Sequence, residues 1–176
     1  MSIDNYPVLK KHLDKYYSKI ANRADKGETP YNLRNCAYME DFYKPKIIWK
    51  RIGSIIRFCY FEEEMMCLDS TVIATGNNVK YLTAVLNSKL HIWDLLINSP
   101  KTGTGDVIIS VQALSPLLVM PPNKEILSTI EKCVDSIIYK KSCGAKYVKE
   151  ETFLSKMIYE MYGLSDEEIA YIEAII

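Results

Sequence analysis

Apolar residues recur at helical spacing from the start of the chain. Leu9, Leu13, Tyr16 and Ile20 form one stripe, Lys10, Lys11, Lys15 and Lys19 lie opposite, and Pro7 suits a first helical position. The spacing predicts a helix over 6–22. Asp25-Lys26-Gly27 and Thr29-Pro30 then break regular structure, with a short helix at 40–43 before Pro45. β-branched and aromatic residues predict strands at 46–52 and 55–61, joined at Gly53-Ser54 as a two-residue hairpin. A third strand at 71–75 ends at Gly76-Asn77-Asn78. The period returns to 3.6 over 79–97, through Leu82, Val85, Leu86, Leu90 and Trp93. A polar loop follows at 99–106, then short strands at 107–111 and 117–120, closed by Pro121-Pro122. Helices are predicted over 123–140 and 150–162. Gly163 suits a helix C′ position, and Ser165 with Glu168 forms a capping box for a last helix. Without βαβ alternation, this order predicts an α+β fold. It would hold a small mixed or antiparallel sheet with hairpins, a central helix, and helices at both ends. Residues 1–122 would form the main body, and 123–176 a helical segment packed on it.

Composition narrows the class. With 176 residues, 48% of them hydrophobic and 25% charged, the chain fits one globular domain with at most a small appendage. Disordered, collagen-like and low-complexity classes are excluded. Apolar runs fall short of the ~20 residues that span a bilayer, and no signal-peptide pattern opens the chain, so no membrane partner is expected. Five scattered cysteines without a C-x-x-C pair argue against a disulfide framework or a zinc ribbon, and for a reducing, cytoplasmic setting. Net charge is zero but uneven: residues 1–60 carry twelve Lys and Arg against six Asp and Glu. That basic third and the thirteen tyrosines fit a polyanion partner or, equally simply, a solvated basic helix face.

Catalytic motifs are missing. The sequence has no phosphate loop and no G-x-S-x-G elbow. Gly103-Thr104-Gly105 precedes a strand, the wrong order for a dinucleotide fingerprint. His12 reads as a surface residue and His91 as packed beside the central helix's apolar stripe. No lysine has an acid two residues before it, as metal-dependent nucleases place one. Glu62-Glu63-Glu64 reads as a solvated turn, since adjacent side chains diverge where a metal wants convergent ligands. No catalytic and no metal-ligating residue is assigned.

Nucleic-acid binding asks for cations toward phosphates and for donors or planar groups toward base edges. Arg23, Lys26 and Arg34 flank Tyr31 and Asn32, while Lys44, Lys46, Lys50, Arg51 and Arg57 sit at or near the first hairpin. If Ile47 and Trp49 face the core, alternation turns Lys46, Ile48 and Lys50 outward. That face reads equally as a phosphate-facing surface or as a strand edge guarded by lysines.

Several segments together resemble a known family. They are Tyr6-Pro7-x-Leu9-Lys10-x-His12-Leu13, Arg23-Ala24-Asp25-Lys26-Gly27 and Leu33-Arg34-Asn35-Cys36-Ala37-Tyr38. Pro45-Lys46-Ile47-Ile48-Trp49 and Tyr81-Leu82-Thr83-Ala84-Val85-Leu86-Asn87-Ser88 follow, and then the run from Ile158 through Tyr162-Gly163-Leu164 to Ile169. The pattern is similar to the TaqI-like C-terminal specificity domain of restriction–modification enzymes. The resemblance implies a target recognition domain of a type IIG enzyme, following an adenine-specific DNA methyltransferase in one polypeptide. This chain would then be an excised C-terminal piece starting at an added Met1, and not itself an enzyme. The absence of an Asn-Pro-Pro-Tyr motif agrees with that. S-adenosylmethionine and magnesium are implied for the parent polypeptide, and no cofactor for this chain. The implied partners are double-stranded DNA and the methyltransferase domain. Arg23, Lys26, Arg34, Lys44, Lys46 and Lys50 are the candidate phosphate contacts. Arg51, Arg57, Asn77, Asn78, Lys101, Thr102 and Thr104 are the candidate base readers. The helices from 123 onward would be structural, because residues 150–176 carry one lysine against seven acids. The alternative is a protein–protein docking or adaptor domain without base readout.

Overall fold

The computed structural model describes residues 2–176; Met1, on which the expectation of an added start falls, lies outside the described residues. Two compact units divide the chain, Met1–Met39 and Glu40–Ile176.

The first unit begins with a 3-10 turn at Ile3–Asn5, followed by α1 (Pro7–Asp14) and α2 (Tyr17–Ala21). The single helix expected over 6–22 is thus broken. Lys15 is the C-cap of α1, and Tyr16, whose N–H donates to the Leu13 carbonyl, leaves the helical region before α2 starts. Pro7 does occupy the first turn of α1. The following turn closes on itself, with a Lys26–Leu33 bridge and the Gly27 N–H donating to the Asn32 carbonyl. Only glycine fits at 27, since a Cβ there would lie 2.3 Å from the Leu33 carbonyl oxygen.

The second unit is α+β. A 3-10 turn at Met39–Tyr43 leads into β1 (Lys46–Lys50), β2 (Ile52–Gly53), β3 (Phe58–Phe61) and β4 (Thr71–Thr75). The main sheet is antiparallel with order β3-β1-β4. Trp49 pairs with Phe58 on one side and with Val72 on the other. The hairpin therefore does not turn at Gly53-Ser54, as the sequence suggested. β2 leaves the main sheet and pairs with β5 (Val107–Ile108), matching Gly53 to Val107. A two-residue turn would have left Gly53 and Val107 without ladder partners.

α3 (Val79–Leu86) and α4 (Lys89–Asn98) cover one sheet face. The predicted helix over 79–97 is split where Asn87 ends α3 and Ser88 caps α4 by accepting from the His91 N–H. α5 (Val111–Leu114) replaces the end of the strand expected at 107–111, and 117–120 is irregular rather than a strand. Tyr81 and Tyr162 hold that stretch, the first through the Met120 carbonyl at 2.5 Å, the second through the Leu118 carbonyl at 2.9 Å. α6 (Lys124–Ser142), α7 (Val148–Tyr162) and α8 (Asp166–Ile175) complete the unit. Ile130, Val134 and Leu154 pack with Tyr81, Ala84 and Val85 in a second core. Gly163 ends α7 at φ 66°, and the Ser165–Glu168 capping box is present in full.

Candidate nucleic-acid interface

Loop positions follow from how β1 ends. Ile47, Trp49 and Phe58 bury one sheet face together with Val107 and Ile109. The Trp49 indole N–H donates to the Ile109 carbonyl at 2.9 Å, tying the strand to a segment sixty residues later. Beyond it the Arg51 backbone is held on two sides. Its N–H donates to the Ser70 carbonyl at 3.0 Å, and its carbonyl accepts from the Ile109 N–H at 2.8 Å. The β2–β5 pairing continues through Val107 to a bridge with Lys101. One end of the sheet therefore gathers Lys50, Arg51, Ile52 and Ser54 beside the loop from Lys101 to Asp106. Arg57 immediately precedes β3, one residue before the Trp49–Phe58 pair.

The loop is internally braced. Thr102 donates its N–H to the Asp106 carbonyl at 2.8 Å, and its hydroxyl accepts from the Asp106 N–H at 3.1 Å. The Thr102 and Thr104 hydroxyls lie 2.9 Å apart. Thr102 is half-buried and builds the loop, while Lys101 and Thr104 are exposed on it.

Lys50, Arg51, Arg57 and Lys101 are exposed, and among the described residues none of them has an ion-pair or side-chain hydrogen-bond partner. Asp69, beside the Ser70 that holds Arg51, is an exposed acid of the same end. Several cations elsewhere are paired. Lys80 meets Asp135 at 2.8 Å and Lys89 meets Glu173 at 2.9 Å; the Asp135 carboxylate raises the Lys80 pKa, and the Lys89 ammonium lowers that of Glu173.

The other predicted contacts scatter. Lys46 is a correction. Alternation turned it toward solvent, but β1 is the central strand, buried from Lys46 through Trp49. The 62–65 stretch returns over that face, where the Lys46 ammonium donates to the Glu63 carbonyl at 2.8 Å and Met65 bonds to Phe42. A fully buried ammonium cannot meet a phosphate. Lys44 pairs with Asp41 at 2.8 Å, which raises its pKa. Asn77 and Asn78 lie past the Lys46 end of β1, since Lys46 pairs with Thr75, so they are remote from Arg51 along the sheet. Asn78 takes the left-handed region at φ 57° and starts α3. In the first unit, Arg23 donates to the Asn32 carbonyl at 2.6 Å and Lys26 to the Ala21 carbonyl at 2.9 Å, so both hold the turn. Arg34 is exposed.

Sequence reading gave Asn87 no role. Its Oδ1 accepts from the Phe58 N–H at 3.0 Å, and its Nδ2 donates to the Phe58 carbonyl at 2.7 Å and the Thr83 carbonyl at 2.9 Å. It closes the outer edge of β3 next to Arg57. The signal was an Asn-Ser pair interrupting an apolar helical stripe, read through rather than as a C-cap followed by an N-cap. His91 is buried, as expected, between the Ser88 hydroxyl and the Leu118 carbonyl, and desolvation pushes its pKa down. Among the described residues no group of three His, Cys, Asp or Glu side chains is placed to hold a metal, and no helix is long and apolar enough to cross a membrane.

Free cations and hydrogen-bonding loops on a rigid sheet end are the elements of a target reader. A family model describing the TaqI-like C-terminal specificity domain matches residues 3–115. The chain belongs to this family. No curated protein matches it. Membership gives the chain a target-recognition role in restriction–modification, and specificity domains of this kind are generally not catalytic. The match takes in the Arg51 turn and the Lys101–Asp106 loop. It stops short of the run from Ile158 to Ile169 through which the sequence resemblance extended.

Proposed function

We propose that this specificity domain reads duplex DNA through the sheet end formed by Lys50, Arg51, Arg57 and the Lys101–Asp106 loop. In this reading it positions the target for an adenine-specific DNA methyltransferase outside this chain, as in a type IIG enzyme. The observation that carries the reading is the β2–β5 pairing, which joins two loops distant in sequence and leaves their four cations unpaired. Phosphate contacts set register, and base edges in the major groove supply the sequence information. Lys50 and Lys101 suit phosphates. Arg51 and Arg57 have the planar fork that meets guanine O6 and N7 together. Ile52 and Ile55, exposed on the same turn, offer the apolar contact a thymine methyl takes. Asn77 and Asn78 drop out of this reader because of their place at the other sheet end.

S-adenosylmethionine and magnesium belong, on this reading, to the parent polypeptide. The test is made in the enzyme that carries the domain. Arg51→Ala and Arg57→Ala should change its discrimination among DNA sites. A docking role would instead leave selectivity intact while binding to the methyltransferase domain is lost.

A further inference from the structure

The turn between α6 and α7 is basic and rich in tyrosine. Residues 139–149 contain Tyr139, Lys140, Lys141, Lys146, Tyr147 and Lys149, and no Asp or Glu. The acidity of the C-terminal helices begins only at Glu150, so an average over the whole segment conceals this stretch. Lys140 is neutralised by its pair with Glu150. Lys141, Lys146 and Lys149 are exposed and have no ion pair among the described residues. Lys141 lies over the Tyr147 ring, 5.8 Å from its centroid. The turn is ordered by the helix end, with the Ala145 N–H donating to the Lys140 carbonyl at 2.8 Å and the Gly144 N–H to the Lys141 carbonyl at 3.2 Å.

This turn meets the sheet end already described. Arg57, Lys141 and Tyr147 line one groove of about 440 Å3 together with Phe61, Ile138 and one acid, Glu151. Arg57 directly precedes β3, next to the Trp49–Phe58 pair. Two free cations, Arg57 and Lys141, thus share this groove, and Lys146 and Lys149 stand on the turn that carries Lys141. We propose that the α6–α7 turn is a second, sequence-independent contact for the DNA backbone, with Lys141, Lys146 and Lys149 held against phosphates that flank the bases facing Arg57. The inference rests on the DNA reading above and extends the site beyond residue 115, where the family match ends. Spaced ammonium groups suit a linear polyanion, and their contribution is counterion release without base preference.

The probe is a fluorescently labelled duplex of mixed sequence, titrated with the full chain at several salt concentrations. The variant Lys141→Ala/Lys146→Ala/Lys149→Ala should reduce the log–log salt slope by about 2 to 3, at about 0.9 per lost phosphate contact. The loss should be the same on duplexes of unrelated sequence. Lys124→Ala/Lys132→Ala, on α6 away from the turn, should leave the slope unchanged. All five lysines are exposed, so circular dichroism melts should match the parent chain. An unchanged slope in the triple variant, with the parent chain binding normally, overturns this inference alone. An equal fall in the control variant overturns it too, because net charge rather than place would be responsible. If the parent chain binds no duplex even at low salt, the DNA reading fails and this site with it.

Discussion

Arg51 shows at the residue scale what the fold gives a reader. Its N–H and carbonyl are fixed by Ser70 and Ile109, and its guanidinium is left free. A donor on a fixed backbone loses less freedom on binding than one on a loose loop. Arg51→Ala or Arg57→Ala in the carrying enzyme should therefore alter site discrimination by about 1–3 kcal/mol for each bidentate base contact removed, read from relative methylation of a substrate panel. Lys50→Ala should lower the salt slope of DNA binding by about 0.9, whereas Lys46→Met should leave it unchanged. The two lysines differ by burial and not by spacing. The alternating pattern was legible, but it could not tell an edge strand from a central one, and β1 is central. His91 gives a pH signature. Burial lowers its pKa, so the folded protein takes up that proton later than the unfolded chain as pH falls. Its stability contribution is present above the ordinary value of about 6.5 and is lost as pH falls through the depressed folded value. The Leu118 carbonyl and Asp94 act against this shift. Melting temperature should fall between about pH 7 and pH 5, and His91→Gln should flatten that slope. A steeper slope in the variant would reverse the argument.

At the scale of elements, helix periodicity carried most of the information. The helices over 124–142, 148–162 and 166–175, the strand at 71–75 and the Ser165–Glu168 box lie where the pattern put them. Breaks were harder to see. Tyr16 and Asn87 interrupt apolar stripes whose spacing continues across them, and only the stripe around Asn87 packs into a core. The β2–β5 pair was illegible, since two-residue strands have no periodicity and their partner lies far along the chain. Ser165→Ala should cost about 0.5–2 kcal/mol, seen as a lower melting temperature with DNA affinity unchanged below the transition. Asn87→Ala leaves the Phe58 N–H and carbonyl without their side-chain partner. It should cost about 1–3 kcal/mol, and hydrogen exchange should rise first in 57–61. Uniform acceleration across the unit would mean that Asn87 supports the whole core and not this edge.

For the molecule as a whole, zero net charge conceals a division of labour. The sheet end keeps its cations free, the α6–α7 turn keeps Lys141, Lys146 and Lys149 free beside the paired Lys140, and Lys80 and Lys89 are paired with acids elsewhere. The family was readable from short motifs, and the structure shows what two of their residues do: Gly27 admits a close carbonyl, and Asn87 closes a strand edge. The reading surface itself was only partly legible. Arg51, Arg57, Lys50 and the 101–106 loop were identified one by one, but tertiary pairing alone brings them together and sends Asn77, Asn78 and Lys46 elsewhere. The most direct test of the account is the salt dependence of duplex binding by the full chain. Affinity should fall linearly in log–log form as salt rises, and Lys50→Ala/Lys101→Ala should make the slope shallower by about 1.8. Tight binding indifferent to salt, or no binding at the lowest salt, would contradict it.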